Sequence, residues 1–287
     1  MKKHFLVTVS NDIDNLFGVR FLCSFFKKLS EHRITLLHIC RQDSQDMAHS
    51  LNEMWSDPEQ RVSGELTVGA KRCLDRSIEL LAESRMAVDL LKTKTVAERY
   101  GKVKDILREG REGLYDAIVL GRRASYALQW LVERPADEIA QAMLQDTGLS
   151  APLWICPDPE GGRKNVLVAL DGSENALRAV DHVGYILASQ EQHAITLFHV
   201  GGEEQSIFAP AMAILAEHGI DPERIGTKTT WGITVAGTLL GEAESGGYAA
   251  IALGMRGRDH SSGRTLGGSV TIKVLGKLEK AALWCCP

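Results

Sequence analysis

Short apolar runs alternate with stretches of helical periodicity along the whole chain. Phe5–Val9 is a compact β-type run closed by Ser10, Asn11 and Asp12. Leu16, Val19, Phe21, Leu22 and Phe25 then recur at helical spacing. Ile34–Cys40 is a second strand, and Arg41–Gly64 is a long polar loop. Leu66, Ala70, Leu74, Ile78 and Leu81 predict the buried face of a further helix. A third strand falls around residues 87–97, and a helix is marked by Val103, Ile106 and Leu107. Ala117–Leu120 and Leu153–Cys156 are strands, with a helix suggested between them by Ile139, Ala142, Met143 and Leu144. After Pro157–Lys164, rich in Pro and Gly, the order starts again. Val166–Leu170 is a strand, and Ser173 is placed to cap a helix through Leu177, Val180 and Ile186. Ile195–Val200 is a strand, Met212–His218 a helix ending at Gly219, Thr227–Trp231 a strand, and Val235–Ala243 a helix.

The two passes are one pattern used twice. KKHFLVTVSNDIDNLFGV from Lys2 aligns with RKNVLVALDGSENALRAV from Arg163, and ITLLHI from Ile34 with ITLFHV from Ile195, both 161 residues apart. YDAIVLGRRA at Tyr115 aligns with YAAIALGMRG at Tyr248 at a spacing of 133, and APLWICP at Ala151 with AALWCCP at Ala281 at 130. The first pass therefore carries 28 extra residues between its second and fourth strands. Such self-similarity predicts two copies of one unit, residues 1–157 and 163–287. Strands apolar on both faces and alternating with helices predict an α/β fold of two tandem doubly wound parallel-sheet domains. Ligands in such sheets sit beyond the carboxyl ends of the strands. In the second unit those ends are Asp171–Gly172, His199–Val200 and Gly254, which can converge on one crevice.

Composition narrows the class. The 287 residues are 44% hydrophobic and 24% charged, with a net charge of −4. A pI near 6.2 argues against a nucleic-acid binder that works through a basic surface. No apolar run reaches the roughly 20 residues of a membrane span, and FLVTV is too short for a signal h-region, so no membrane partner and a cytoplasmic site are expected. Cys23, Cys40, Cys73, Cys156, Cys285 and Cys286 have no C-x-x-C spacing and read as core residues in a reducing compartment. No His/Cys/Asp cluster at ligand spacing predicts a metal site. No G-x-S-x-G and no paired carboxylates predict a catalytic residue.

The chemistry concentrates in AIALGMRGRDHSSGRTLGGSV, from Ala250 to Val270. A strand runs into a loop with Gly254, Gly257, Gly263, Gly267 and Gly268 and with Arg256, Arg258 and Arg264; a helical pattern begins beyond Ser269. Glycines let backbone N–H groups converge on an anion, and a helix start adds positive partial charge. Neither G-x-G-x-x-G after a first strand nor G-x-x-x-x-G-K-[ST] occurs, which excludes the usual NAD and P-loop sites.

With VLVALDGSENALRAV from Val166, ITLFHV from Ile195 and IALGMRG…LGGSV from Ile251, the chain resembles the universal stress protein family in its tandem two-domain form. The resemblance implies a Rossmann-like, adenine-nucleotide α-hydrolase-like fold and a stress-linked sensor or signalling module. The implied ligand is ATP or AMP, with or without Mg2+. The family's nucleotide-binding members carry G-x2-G-x9-G-[ST] after strand four. Gly254, Gly257 and Gly267 fit that pattern with Gly268 at the Ser/Thr place; alternatively one added residue makes Gly268 and Ser269 the final pair. Both registers are open. The resemblance assigns Asp171, with Gly172 and Ser173 beside it, to the ribose or adenine, and the Val200 backbone to the adenine edge. It assigns Gly254, Gly257, Gly267, Gly268 and Ser269 to the phosphates, with Arg256 available for a charge-assisted contact.

The first unit lacks these parts. Ser10 stands in the place of Asp171, Ala124 in the place of Gly257, and RRASYALQWLVERPADE follows Gly121 with no glycine; Trp130, Leu131 and Val132 read as packing. Its expected roles are support, dimer contact or recognition of a protein partner, with pairing of the units inside one chain or a homodimer both open. His38 and His199 hold equivalent places and read as fold residues, with pocket lining the alternative for His199; His260 reads as a solvated loop histidine, with a phosphate contact the alternative; and Trp231 reads as core packing, with pocket lining the alternative. The alternatives to a nucleotide sensor are a scaffold without nucleotide and a nucleotide-dependent hydrolase or transferase.

Overall fold

The computed structural model of the protein describes residues 2–40, 66–122, 140, 142–144, 149–202, 205–255 and 269–287. The strands are β1 His4–Thr8, β2 Arg33–Cys40, β3 Leu91–Ala97, β4 Ala117–Gly121, β5 Leu153–Cys156, β6 Val166–Leu170, β7 Ile195–Val200, β8 Ile225–Thr230, β9 Ala250–Gly254 and β10 Ala282–Cys286. The helices are α1 Phe17–Phe25, α2 Val68–Glu83, α3 Lys102–Glu112, α4 Glu174–Leu187, α5 Gln205–Glu217, α6 Val235–Ser245 and α7 Ser269–Lys277. The predicted loop Arg41–Gly64 and the residues Trp130, Leu131, Val132 and Ile139 lie outside the described residues; Ala140 and Ala142–Leu144 are helical.

All ten strands join one sheet in the order β3-β2-β1-β4-β5-β10-β9-β6-β7-β8. Each half contributes the same order, and every pairing is parallel except the central one, where β5 meets β10 antiparallel. Successive strand residues point to opposite faces. Phe5, Val7, Val168 and Leu197 therefore pack with α1, α2, α4 and α5 on one side. Leu6, Ile118, Leu167, Ile251 and Leu283 pack with α3, α6 and α7 on the other. Both clusters run across the two halves without a break.

Contacts repeat between the halves at the spacings seen in the sequence. His38 Nδ1 donates to Val9 O and His199 Nδ1 to Leu170 O, each at 2.8 Å, which ties the ends of neighbouring strands. Lys94 and Tyr115 converge on Glu109 at 2.5 and 2.8 Å, and Lys228 and Tyr248 converge on Glu242 at 2.6 and 3.3 Å. The two histidines thus have a fold role in each half.

The central seam is aromatic. Trp154 of β5 faces Trp284 of β10, with Phe21, Phe25 and Phe26 of the α1 region around them. His193 of the second half stacks on Phe25 at 4.0 Å. Tyr185 of α4 donates to Asp116 Oδ1 at 3.0 Å, and the Lys3 ammonium lies 3.2 Å from the centroid of the same tyrosine ring. That placement joins an ion–dipole contact to a cation–π contact across the halves.

Four local expectations are corrected. Leu66 precedes α2 and is exposed, and Ile78 faces solvent; Ala70, Cys73, Leu74, Ser77 and Leu81 form the buried face. The small buried residues Cys73 and Ser77 occupy the centre of the stripe. Helix α5 begins at Gln205, ahead of Met212, because Ile207, Ala211 and Leu215 bury one face despite Pro210 inside it. It ends as the sequence indicates, with Gly219 at φ +70° and Ile220 N donating to Leu215 O at 3.1 Å. Strand β8 stops at Thr230, and Trp231 is 79% exposed rather than packed in the core.

Candidate functional site

Three parallel strands set the site. β6 lies between β9 and β7, with Val168 opposite Ala252 and Leu170 opposite His199. Their carboxyl ends are level, so Asp171, Val200 and Gly254 leave the sheet along one edge. The chain leaves β6 to one side for β7 and later crosses from β8 to β9 on the other side of β6, which makes this a topological switch point, the place where such sheets bind ligands.

The turn after β6 is built to bring a helix start to that edge. Gly172 adopts φ +77°, a left-handed conformation that glycine reaches without penalty. Asp171 Oδ1 accepts from Ser173 N at 2.9 Å, which orients the carboxylate across the turn. Ser173 Oγ accepts from Ala176 N at 3.2 Å and caps α4, as its sequence position indicates. The first turn of α4 therefore presents its positive end beside Asp171.

Gly254 has a packing reason of its own. A Cβ there would stand 2.5 Å from the backbone carbon of Asn175 and 2.8 Å from Ala176 N. The end of β9 thus sits directly on the first turn of α4, and only glycine permits that approach. Gly121 is its counterpart, where a Cβ would lie 3.1 Å from Asn15 O. The glycine that ends this strand thus has a packing role in each half, strict at Gly254 and milder at Gly121. Arg256, Gly257, Gly267 and Gly268, with Arg258, His260, Gly263 and Arg264, lie outside the described residues. Ser269 opens α7.

The equivalent edge of the first half is built differently. After β1, Ser10 Oγ bonds with Asp12 N at 3.3 Å, and Asp12 accepts from Asp14 N at 3.1 Å and from the Asn15 side chain. A 3-10 turn over Ile13–Asn15 follows, and α1 begins only at Phe17. The helix start is withdrawn from the strand end, and the acidic side chain is spent on capping its own turn.

Sequence reasoning underrated one feature of the second edge. Gly201 and Gly202 continue β7 past Val200, and the exposed Trp231 ring lies against Gly202. A Gly-Gly pair directly after a strand was the available signal. Among the described residues no three His, Cys, Asp or Glu side chains are grouped to hold a metal ion. No helix among them is long and apolar enough to cross a membrane. Burial raises the thiols of Cys156, Cys285 and Cys286, so these sit as inert core groups.

The universal stress protein family model matches residues 162–283. Among solved structures, a universal stress protein from Archaeoglobus fulgidus DSM 4304 is similar at a TM-score of 0.68 and 18% identity, covering 99% of this chain and 97% of that one. A functionally unknown protein from Pseudomonas aeruginosa PAO1 is similar at a TM-score of 0.56 and 15% identity, over 99% of this chain and 92% of its own. Both are likenesses of the whole two-part fold. No curated protein sequence matches the chain. The universal stress protein region contains β6, β7 and β9, and with them the whole described edge.

Proposed function

We propose that this protein binds an adenine nucleotide, ATP or AMP, at the carboxyl edge of residues 163–287, and works as a sensor or signalling module. The observation that carries the reading is the level meeting of Asp171, Val200 and Gly254 beside the capped start of α4. The described residues fit such a ligand. A carboxylate accepts from ribose hydroxyls or an exocyclic amine, a strand-end backbone offers hydrogen bonds to a base edge, and a helix start attracts phosphate. In this reading Gly257, Gly267, Gly268 and Ser269 close around the phosphates, Arg256 adds charge, and Mg2+ accompanies ATP.

Residues 1–157 then form a second unit of the same fold that carries no nucleotide and supports the first or engages a protein partner. The withdrawn helix start after β1 favours that division of labour. No group is assigned a catalytic role, and hydrolysis of ATP would be slow and incidental. The reading places the protein in the cytoplasm.

Calorimetric titration with ATP, ADP and AMP tests the proposal, repeated on Asp171→Ala and Gly257→Asp. Saturable binding by the wild type that both substitutions weaken supports it. No saturable binding at millimolar nucleotide leaves the scaffold as the function, and rapid turnover makes the protein an enzyme.

A further inference from the structure

Trp231 is 79% exposed and Ile233, two residues on, fully so, although both are among the most apolar side chains of the second half. Exposing an indole forgoes the burial free energy of a large aromatic side chain. The fold does not require it. In the first half the buried Ala97 ends β3 at the corresponding place, and the chain after it folds back so that Asp105 accepts from Arg99 N at 2.9 Å and Tyr100 N at 3.3 Å.

The exposed ring has a defined seat. Val200 pairs with Thr230, and Gly201 N donates to Thr230 O at 3.0 Å, so the β7–β8 ladder runs one step beyond Val200. Trp231 follows immediately, and a Cβ added at Gly202 would lie 3.5 Å from its ring. Glycines at 201 and 202 put no side chain of their own on that flank of the indole. Adjacent strands are about 4.8 Å apart, so a planar group held at the Val200 backbone lies within reach of the ring.

We infer that Trp231 is the base-stacking wall of the nucleotide site, recognising a purine ring whose edge meets the Val200 backbone. The inference rests on the adenine-nucleotide reading above and adds a residue to it. A flat bicyclic base matches an indole in shape, covers its apolar face and leaves its own polar edge to the backbone. Stacking is indifferent to the hydrogen-bonding edge. Trp231 therefore sets affinity for a planar base, and Asp171 and Val200 set which base.

The test uses the full-length chain, with AMP and ribose 5-phosphate as probes, read by calorimetry and by tryptophan fluorescence. Trp231→Ala is expected to weaken AMP binding by about tenfold, at the low end of what base–aromatic stacking contributes. Trp231→Phe should lose less, and ribose 5-phosphate should bind wild type and Trp231→Ala alike. In a Trp55→Phe, Trp130→Phe background AMP should quench part of the emission, and that quenching should vanish when Trp231→Phe is added, since the remaining Trp154 and Trp284 are fully buried in the seam. Unchanged AMP affinity in Trp231→Ala overturns the inference and leaves the nucleotide reading standing. Equal losses for AMP and ribose 5-phosphate also overturn it, because the substitution would then act on the phosphate end. Wild-type protein that binds neither probe overturns both readings.

Discussion

Trp154 and Trp284 stack face to face at 4.0 Å with 3° between their planes, one from each half, at the only antiparallel step among the described strand pairs. Both are fully buried. The pair is the centre of the ten-stranded sheet, and it makes the halves one folding unit rather than two beads on a linker. Trp154→Ala or Trp284→Ala should lower stability by about 3–5 kcal/mol. Denaturant unfolding should show one cooperative transition in the wild type. Two separated transitions in the wild type would mean that the seam does not couple the halves.

The stack is not symmetric. Trp154 Nε1 donates to His182 Nε2 at 3.0 Å, whereas Trp284 Nε1 is buried without a partner among the described residues. Phe21, 161 residues before His182, is the corresponding residue and packs its ring near Trp284 instead. His182→Leu should cost about 1–3 kcal/mol, because it leaves a second indole N–H unpaired. His182→Gln, which keeps an acceptor, should lose less. Equal losses in both variants would assign the effect to packing.

Acid should loosen this seam. Burial depresses His182 to about 3 and His32 to about 4, and burial also lowers His193. Folding therefore favours the neutral rings, and the unfolded chain binds more protons below the ordinary histidine value near 6.5. Stability is undiminished above pH 6.5, falls as pH drops from there, and the loss levels off near pH 4 for His32 and pH 3 for His182. Each ring contributes up to about 1.4 kcal/mol per pH unit within its window. Thermal unfolding from pH 7.5 to 4.5 measures it. A slope unchanged in His182→Gln would assign the acid sensitivity to other groups.

Gly254→Ala should destabilise the protein by about 1–3 kcal/mol, since the added methyl must push the end of β9 off the first turn of α4. Gly172→Ala should cost about 1 kcal/mol through its left-handed backbone. Both are read from chemical denaturation. A neutral Gly254→Ala would show that the contact relaxes freely.

Much of this architecture is legible in the sequence because it is local. Apolar runs such as Val166–Leu170 and Ile195–Val200 have the bounds of the observed strands, and Ser173 and Gly219 cap their helices as their residue types require. The β5–β10 pairing was not legible, since an edge-to-edge contact between distant strands leaves no periodicity; the equivalence of WICP and WCCP marks the strands but not their meeting. The exposure of Trp231 was not legible, because an aromatic at a strand end is ordinarily core, and only the three-dimensional edge separates that reading from pocket lining. Gly254 looked like a phosphate glycine alone because its steric partner, Asn175, is remote in sequence.

The central claim is that two similar halves carry one adenine-nucleotide site, in the second. The stoichiometry of AMP binding to the full-length chain, measured by calorimetry on wild type and Asp171→Ala, tests it most directly. The account predicts one mole bound per mole of chain, with affinity lost in Asp171→Ala. Two moles per chain, or binding that Asp171→Ala leaves intact, would contradict it.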